Sequence, residues 1–172
     1  MAKTTLRAWA VLVAAATVGA VLTAPPALAG TAYYVKNYNS RLCLTIAGGG
    51  KAANAPAVQY YCDSHPSRLW TLQYQSGGFY KIRNKNSGLC LTIAGGGKAA
   101  NAPAVQYYCD SHPSRLWTLQ YQSGGFYKIR NKNSGLCLTI AGGGKATNAP
   151  AVQYYCDSHP SRVWAKRSPY TY

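Results

Sequence analysis

The segment AVQYYCDSHPSRLW, residues 57–70, recurs unchanged at residues 104–117 and once more as AVQYYCDSHPSRVW at residues 151–164. The interval is 47 residues each time, and it extends well beyond the quoted segment. Residues 42–88 are reproduced one for one by residues 89–135. The third copy departs at Thr147 and Val163 and then runs out in AKRSPYTY. A frame set at Ala32 gives units 32–78, 79–125 and 126–172. Self-similarity at a fixed period governs the reading of everything else in such a chain.

Within a unit the alternation is that of strands. YYVKN (33–37) and FYKIRN (79–84) alternate bulky apolar with polar residues, and RLWTLQYQ (68–75) does so again. LCLTIA (42–47) and AVQYY (57–61) are short runs rich in branched and aromatic residues. The turn signals NSG, GGGKAANAP, DSHPS and SGG separate them. This predicts four short strands per unit and about twelve in all. No window outside the N-terminal leader shows an apolar period of 3.6.

One such unit is too small to bury its own apolar face, so the three must share a core. A linear array carries atypical polar units at its ends, whereas here the outer units keep Trp70 and Trp164 in the pattern of Trp117. The expectation is an all-β body with pseudo-threefold symmetry, closed on itself so that strand edges disappear. A three-part propeller and a sandwich are the competing solutions.

Residues 1–29 read as a secretory signal peptide. Lys3 and Arg7 give a basic start, an Ala-rich apolar stretch follows, and Ala27–Leu28–Ala29 supplies a small-residue cleavage site. The expectation is an exported chain beginning at Gly30, without a transmembrane anchor. Two of the 18 Lys and Arg fall in the leader, so the remaining domain keeps +13 of the chain's formal +15. Its only acids are Asp63, Asp110 and Asp157, and glutamate is absent. Export of a basic protein favours wall polymers, acidic glycans or anionic surfaces over nucleic acid as partners.

The six cysteines are Cys43, Cys62, Cys90, Cys109, Cys137 and Cys156. Equivalent units should form equivalent bonds, which leaves two patterns. One pairs Cys43–Cys62, Cys90–Cys109 and Cys137–Cys156 within units. The other pairs Cys62–Cys90, Cys109–Cys137 and Cys156–Cys43 across them. The first joins adjacent short strands across the Gly-rich loop and is preferred. Zinc is not expected, because no close Cys-x-x-Cys pair occurs and an oxidising destination disfavours free thiolates.

Two catalytic readings fail. The glycines at 48–50, 95–97 and 142–144 lack the Gly-Lys-Ser/Thr ending and following helix of a phosphate loop. Asp63, Ser64 and His65 are adjacent, whereas a relay triad is assembled from spatial neighbours with set roles. Three equivalent Asp and no Glu leave paired-carboxylate glycoside hydrolysis little to work with. A non-enzymatic protein without cofactor is expected.

YKIRNKNSGLCLTIAGGG (80–97) followed by APAVQYYCDSHPSRLW (102–117) resembles the ricin-type carbohydrate-binding module. The resemblance spans 32–172. It rests on a cysteine before leucine, the Gly-rich loop, a second cysteine nineteen positions on and a tryptophan eight beyond that, three times over. It implies a β-trefoil, disulfides within repeats, and sugar binding in a non-catalytic module. The family pattern places an aspartate after the cysteine-leucine pair, where Thr45, Thr92 and Thr139 stand. Its polar third-strand residue corresponds to Gln59, Gln106 and Gln153. Its stacking aromatic, two positions later, corresponds to Tyr61, Tyr108 and Tyr155. The Asn-Gln of its Gln-x-Trp signature is replaced by Ser67-Arg68, Ser114-Arg115 and Ser161-Arg162.

An arginine fork suits carboxylate, sulfate or phosphate, so the substitutions point to an acidic glycan or an anionic cell-wall polysaccharide. His65, His112 and His159 would add to anion binding below about pH 6.5. The protein is expected to act as a monomer with up to three sites. The competing readings are a cationic envelope- or membrane-active protein and a protein-binding trefoil that takes no sugar.

Overall fold

The computed structural model describes Met1 and residues 30–170; the expected leader, Met1 apart, lies outside the described residues. Twelve strands occur among them. The first unit holds β1 (Ala32–Asn37), β2 (Cys43–Ile46), β3 (Ala57–Tyr60) and β4 (Leu69–Tyr74). The second holds β5 (Tyr80–Asn84), β6 (Cys90–Ile93), β7 (Ala104–Tyr107) and β8 (Trp117–Tyr121). The third holds β9 (Phe126–Asn131), β10 (Cys137–Ile140), β11 (Ala151–Tyr154) and β12 (Val163–Arg167). Only single 3₁₀ turns interrupt the strands, at Ala47–Gly49 and Pro66–Arg68 and at their equivalents. No helix among the described residues is long and apolar enough to cross a membrane.

The first and fourth strands of each unit close a ring. β1 pairs with β4, β4 with β5, β5 with β8, β8 with β9, β9 with β12, and β12 returns to β1, all antiparallel. Closure leaves this ring no open edge. The remaining strands form three hairpins, β2–β3, β6–β7 and β10–β11. These cap one end and touch one another through the bridges Pro56–Val105, Pro103–Val152 and Val58–Pro150. This is a β-trefoil.

The core is threefold. Trp70, Trp117 and Trp164 are at most 1% exposed and pack with Leu44, Ile46, Ile82 and their equivalents. Each indole also donates to a backbone carbonyl, Trp70 Nε1 to Leu44 O at 2.9 Å, so no polar atom is stranded. The disulfides are Cys43–Cys62, Cys90–Cys109 and Cys137–Cys156, the pairing within units.

Register decides which side chains face outward. Leu44 lies opposite Gln59 and Ile46 opposite Ala57, while Cys43 faces Tyr60 and Thr45 faces Val58. Directly opposed residues share one face of a sheet. Leu44, Ile46, Ala57 and Gln59 therefore point inward, and Thr45, Val58 and Tyr60 point outward.

Candidate functional site

On the outward side of each cap hairpin lies a hollow. The three have volumes of about 510, 480 and 460 Å³. The first is lined by Thr45, Val58, Tyr60, Gly48, Gly49, His65 and Arg68, with Asn148 entering from the third unit. The second and third repeat this with Tyr107, His112, Arg115 and Asn54, and with Tyr154, His159, Arg162 and Asn101. Every hollow thus needs two units.

The wall is a small hydrogen-bonded machine centred on Ser67, which is fully buried. His65 Nδ1 accepts the Ser67 backbone N–H at 3.2 Å, capping the Pro66–Arg68 turn. That acceptance keeps the proton of the neutral ring on Nε2. Ser67 Oγ also lies 3.0 Å from Thr45 Oγ1 and 2.8 Å from His65 Nδ1, and takes a bond from Arg68 Nη1 at 2.9 Å. The His65 ring lies against the glycine loop. A Cβ on Gly49 would come within 2.8 Å of His65 Cε1, and Gly49 has φ of +67°, so a side chain there is excluded twice.

Arg68 is the second support. Its Nε is 3.0 Å from Asp63 Oδ1, a charge contact without an aligned hydrogen bond. Arg115 and Arg162 pair likewise with Asp110 and Asp157 at 3.2 and 3.0 Å. The three arginine side chains are only 12%, 10% and 10% exposed. Each guanidinium lies over a tyrosine, Tyr60, Tyr107 or Tyr154, at 4.9 Å from the ring centroid. Such stacking contributes roughly 2 kcal/mol when shielded from water. The tyrosine ring is pinned before any ligand arrives.

This geometry corrects the sequence reading at several points. Gln59, Gln106 and Gln153 are fully buried and face away from the hollows. Gln59 Oε1 accepts from Ser40 Oγ at 2.6 Å, and its Nε2 donates to Gly144 O at 3.0 Å and Ala146 O at 2.8 Å. Gln106 and Gln153 hold the loops at Gly50–Ala52 and Gly97–Ala99 in the same way. These amides clamp each unit's loop onto its neighbour and are not offered to a ligand. Tyr61, Tyr108 and Tyr155 are about 62% exposed but lie beside the hollows, edge to face with the lining tyrosines.

Thr45, Thr92 and Thr139 form the hollow floors, at most 2% exposed, with their hydroxyls committed to Ser67, Ser114 and Ser161. Arg68, Arg115 and Arg162 do line the hollows, but each charge is already matched by an aspartate. Tyr60, Tyr107 and Tyr154 and Asn54, Asn101 and Asn148 also line the hollows, at positions to which the resemblance did not point. Among the described residues no group of His, Cys, Asp and Glu is placed to hold a metal.

The ricin-type β-trefoil lectin domain-like model matches residues 21–108, 66–155 and 113–171. No curated protein sequence matches the chain. Among solved structures, the designed threefold-symmetric protein ThreeFoil aligns with a TM-score of 0.78 at 21% identity, covering 80% of this chain and 98% of that one. An exo-β-1,3-galactanase from Clostridium thermocellum aligns at 0.79 and 23% identity, over 80% of this chain but only 30% of that one. The Rhizoctonia solani agglutinin aligns at 0.72 and 17% identity, over 84% and 99%. With the family model tiling all three units, this chain belongs to the ricin-type β-trefoil lectin domain-like family, as a non-catalytic carbohydrate-binding domain.

Proposed function

We propose that the protein is an exported, three-site lectin that grips an anionic envelope or cell-wall glycan, one sugar ring per hollow. The observation that carries this is the hollow itself: a tyrosine ring under a mostly buried arginine that pairs with an aspartate, with His65 and Asn148 at the rim of the first and their equivalents at the other two, three times around one axis. Pinned aromatic rings and polar rim groups suit the apolar face and the hydroxyls of a pyranose. Because each arginine is neutralised locally, the hollows select on hydroxyls. The +13 domain charge supplies the long-range attraction to an acidic polymer. Each hollow alone is a weak site. A rigid threefold spacing on a repetitive polymer multiplies the apparent affinity by about 100-fold or more.

Replacing Tyr60, Tyr107 and Tyr154 together with alanine tests the reading on an immobilised panel of neutral, uronic and sulfated polysaccharides. The expected result is loss of apparent affinity by about 100-fold, with far-UV circular dichroism unchanged. The matching triple alanine variant at Tyr61, Tyr108 and Tyr155 is expected to lose no more than about threefold, since those rings lie outside the hollows. Retained binding in the first variant and loss in the second would reverse the assignment.

A further inference from the structure

One break in the threefold pattern lies beside a fourth hollow. In the second unit Phe79 lies under Lys132 Nζ, 4.5 Å from the ring centroid. In the third unit Phe126 meets Tyr38 edge to face at 4.9 Å. Lys132 and Tyr38 occupy one register position in their units, and the equivalent residue of the second unit is Lys85. The partner it should meet, at the register of Phe79 and Phe126, is Ala32. A hollow of about 700 Å³ stands at this register, lined by Ala32, Lys85, Arg83, Thr71, Gln73 and Tyr170. At the other two positions a phenylalanine ring occupies this register.

Its charge differs in kind from that of the three lectin hollows. Asp63, Asp110 and Asp157 are all engaged with Arg68, Arg115 and Arg162. Among the described residues no aspartate or glutamate is left for Lys85 and Arg83 to face. Lys85 Nζ makes no hydrogen bond or ion pair among the described residues, and Arg83 spends Nε on Gly88 O at 2.6 Å. A hollow of this size, beside an ammonium and a guanidinium with no side-chain carboxylate opposite them among the described residues and with the Thr71 and Gln73 side chains at hand, selects a ring carrying an anionic group.

We propose that this hollow is a separate, unrepeated binding site for an anionic pyranose, the uronate or sulfated residue of a glycan. The identity of the ring rests on the lectin reading, whereas the vacancy and its charge do not. The site lets one molecule grip hydroxyls at three places and an acid at a fourth.

Ala32→Phe is the decisive variant, because phenylalanine is already tolerated at this register in the other two units. Oligogalacturonate and its neutral methyl ester are titrated calorimetrically into the wild type, Ala32→Phe, Lys85→Gln and the triple alanine variant at Tyr60, Tyr107 and Tyr154. The wild type should prefer the acid to the ester. Ala32→Phe and Lys85→Gln should each lose about tenfold or more of the acid affinity while binding neutral polysaccharide as before. The triple tyrosine variant should keep one acid-specific site. Acid affinity unchanged in Ala32→Phe, an ester bound as tightly as the acid, or loss of the acid site together with the tyrosines would each overturn the proposal. Loss of neutral binding alone bears on the three hollows and leaves this site standing.

Discussion

Reduction of the three disulfides is expected to lower the melting temperature by roughly 30 °C. Each bond closes a loop with a sequence separation of 19. The chain-entropy relation assigns such a loop about 3 kcal/mol, so three independent loops contribute roughly 9 kcal/mol. A domain of this size has a total stability of about 5–15 kcal/mol. The bonds also sit where the chain is otherwise weakest. The cap hairpins have strands of only four residues and are joined by single bridges rather than by the closed ring. Thermal melts followed by circular dichroism, with and without a phosphine reductant, read the effect. Removing one bond as the pair Cys90→Ala and Cys109→Ala should cost about a third as much. A melt indifferent to reductant would show that the trefoil core alone holds the fold.

Gln59→Ala is expected to cost about 3–5 kcal/mol, and it separates a clamp from a ligand contact. Truncation leaves Gly144 O, Ala146 O and the Ser40 hydroxyl without their partner in a buried setting. Each orphaned group costs about 1–3 kcal/mol. Gln59→Glu should be at least as damaging, because a carboxylate would meet two carbonyl oxygens where the amide donates. Denaturant unfolding measures both variants. Glycan affinity at a temperature where Gln59→Ala remains folded should change by no more than about threefold. A residue whose role is to touch sugar would behave the other way round, with binding lost and stability kept.

That contrast marks where sequence reading ran out. The 47-residue period and the four strands per unit are legible in local spacing, and the closed ring in the likeness of the outer units to the middle one; symmetry left two disulfide patterns, of which adjacency of the short strands across the Gly-rich loop favoured the one observed. The choice between Tyr60 and Tyr61 does not. Alternation puts neighbouring residues on opposite faces without saying which face is outward, and only the register of Leu44 against Gln59 fixes it. The carbonyls clamped by Gln59 lie 85 and 87 residues away in sequence, so nothing near Gln59 announces the clamp. The Asp63–Arg68 pair spans only five positions, but a free arginine and a neutralised one look alike until the turn between them is drawn. Ala32 in place of Phe79 and Phe126 is plain once the units are aligned. What its small size exposes depends on Lys85 arriving from the next unit, and threefold closure supplies that.

The most direct measurement is the number of ligands bound per chain as hollows are removed one at a time. A soluble neutral oligosaccharide that binds the wild type, titrated by calorimetry, should saturate three equivalent sites. Tyr60→Ala should leave two, Tyr60→Ala with Tyr107→Ala one, and the triple variant with Tyr154→Ala none, each at nearly unchanged affinity per remaining site. A stoichiometry that stays constant through this series, or that collapses to zero with the first substitution, contradicts three independent tyrosine-walled hollows on a closed trefoil.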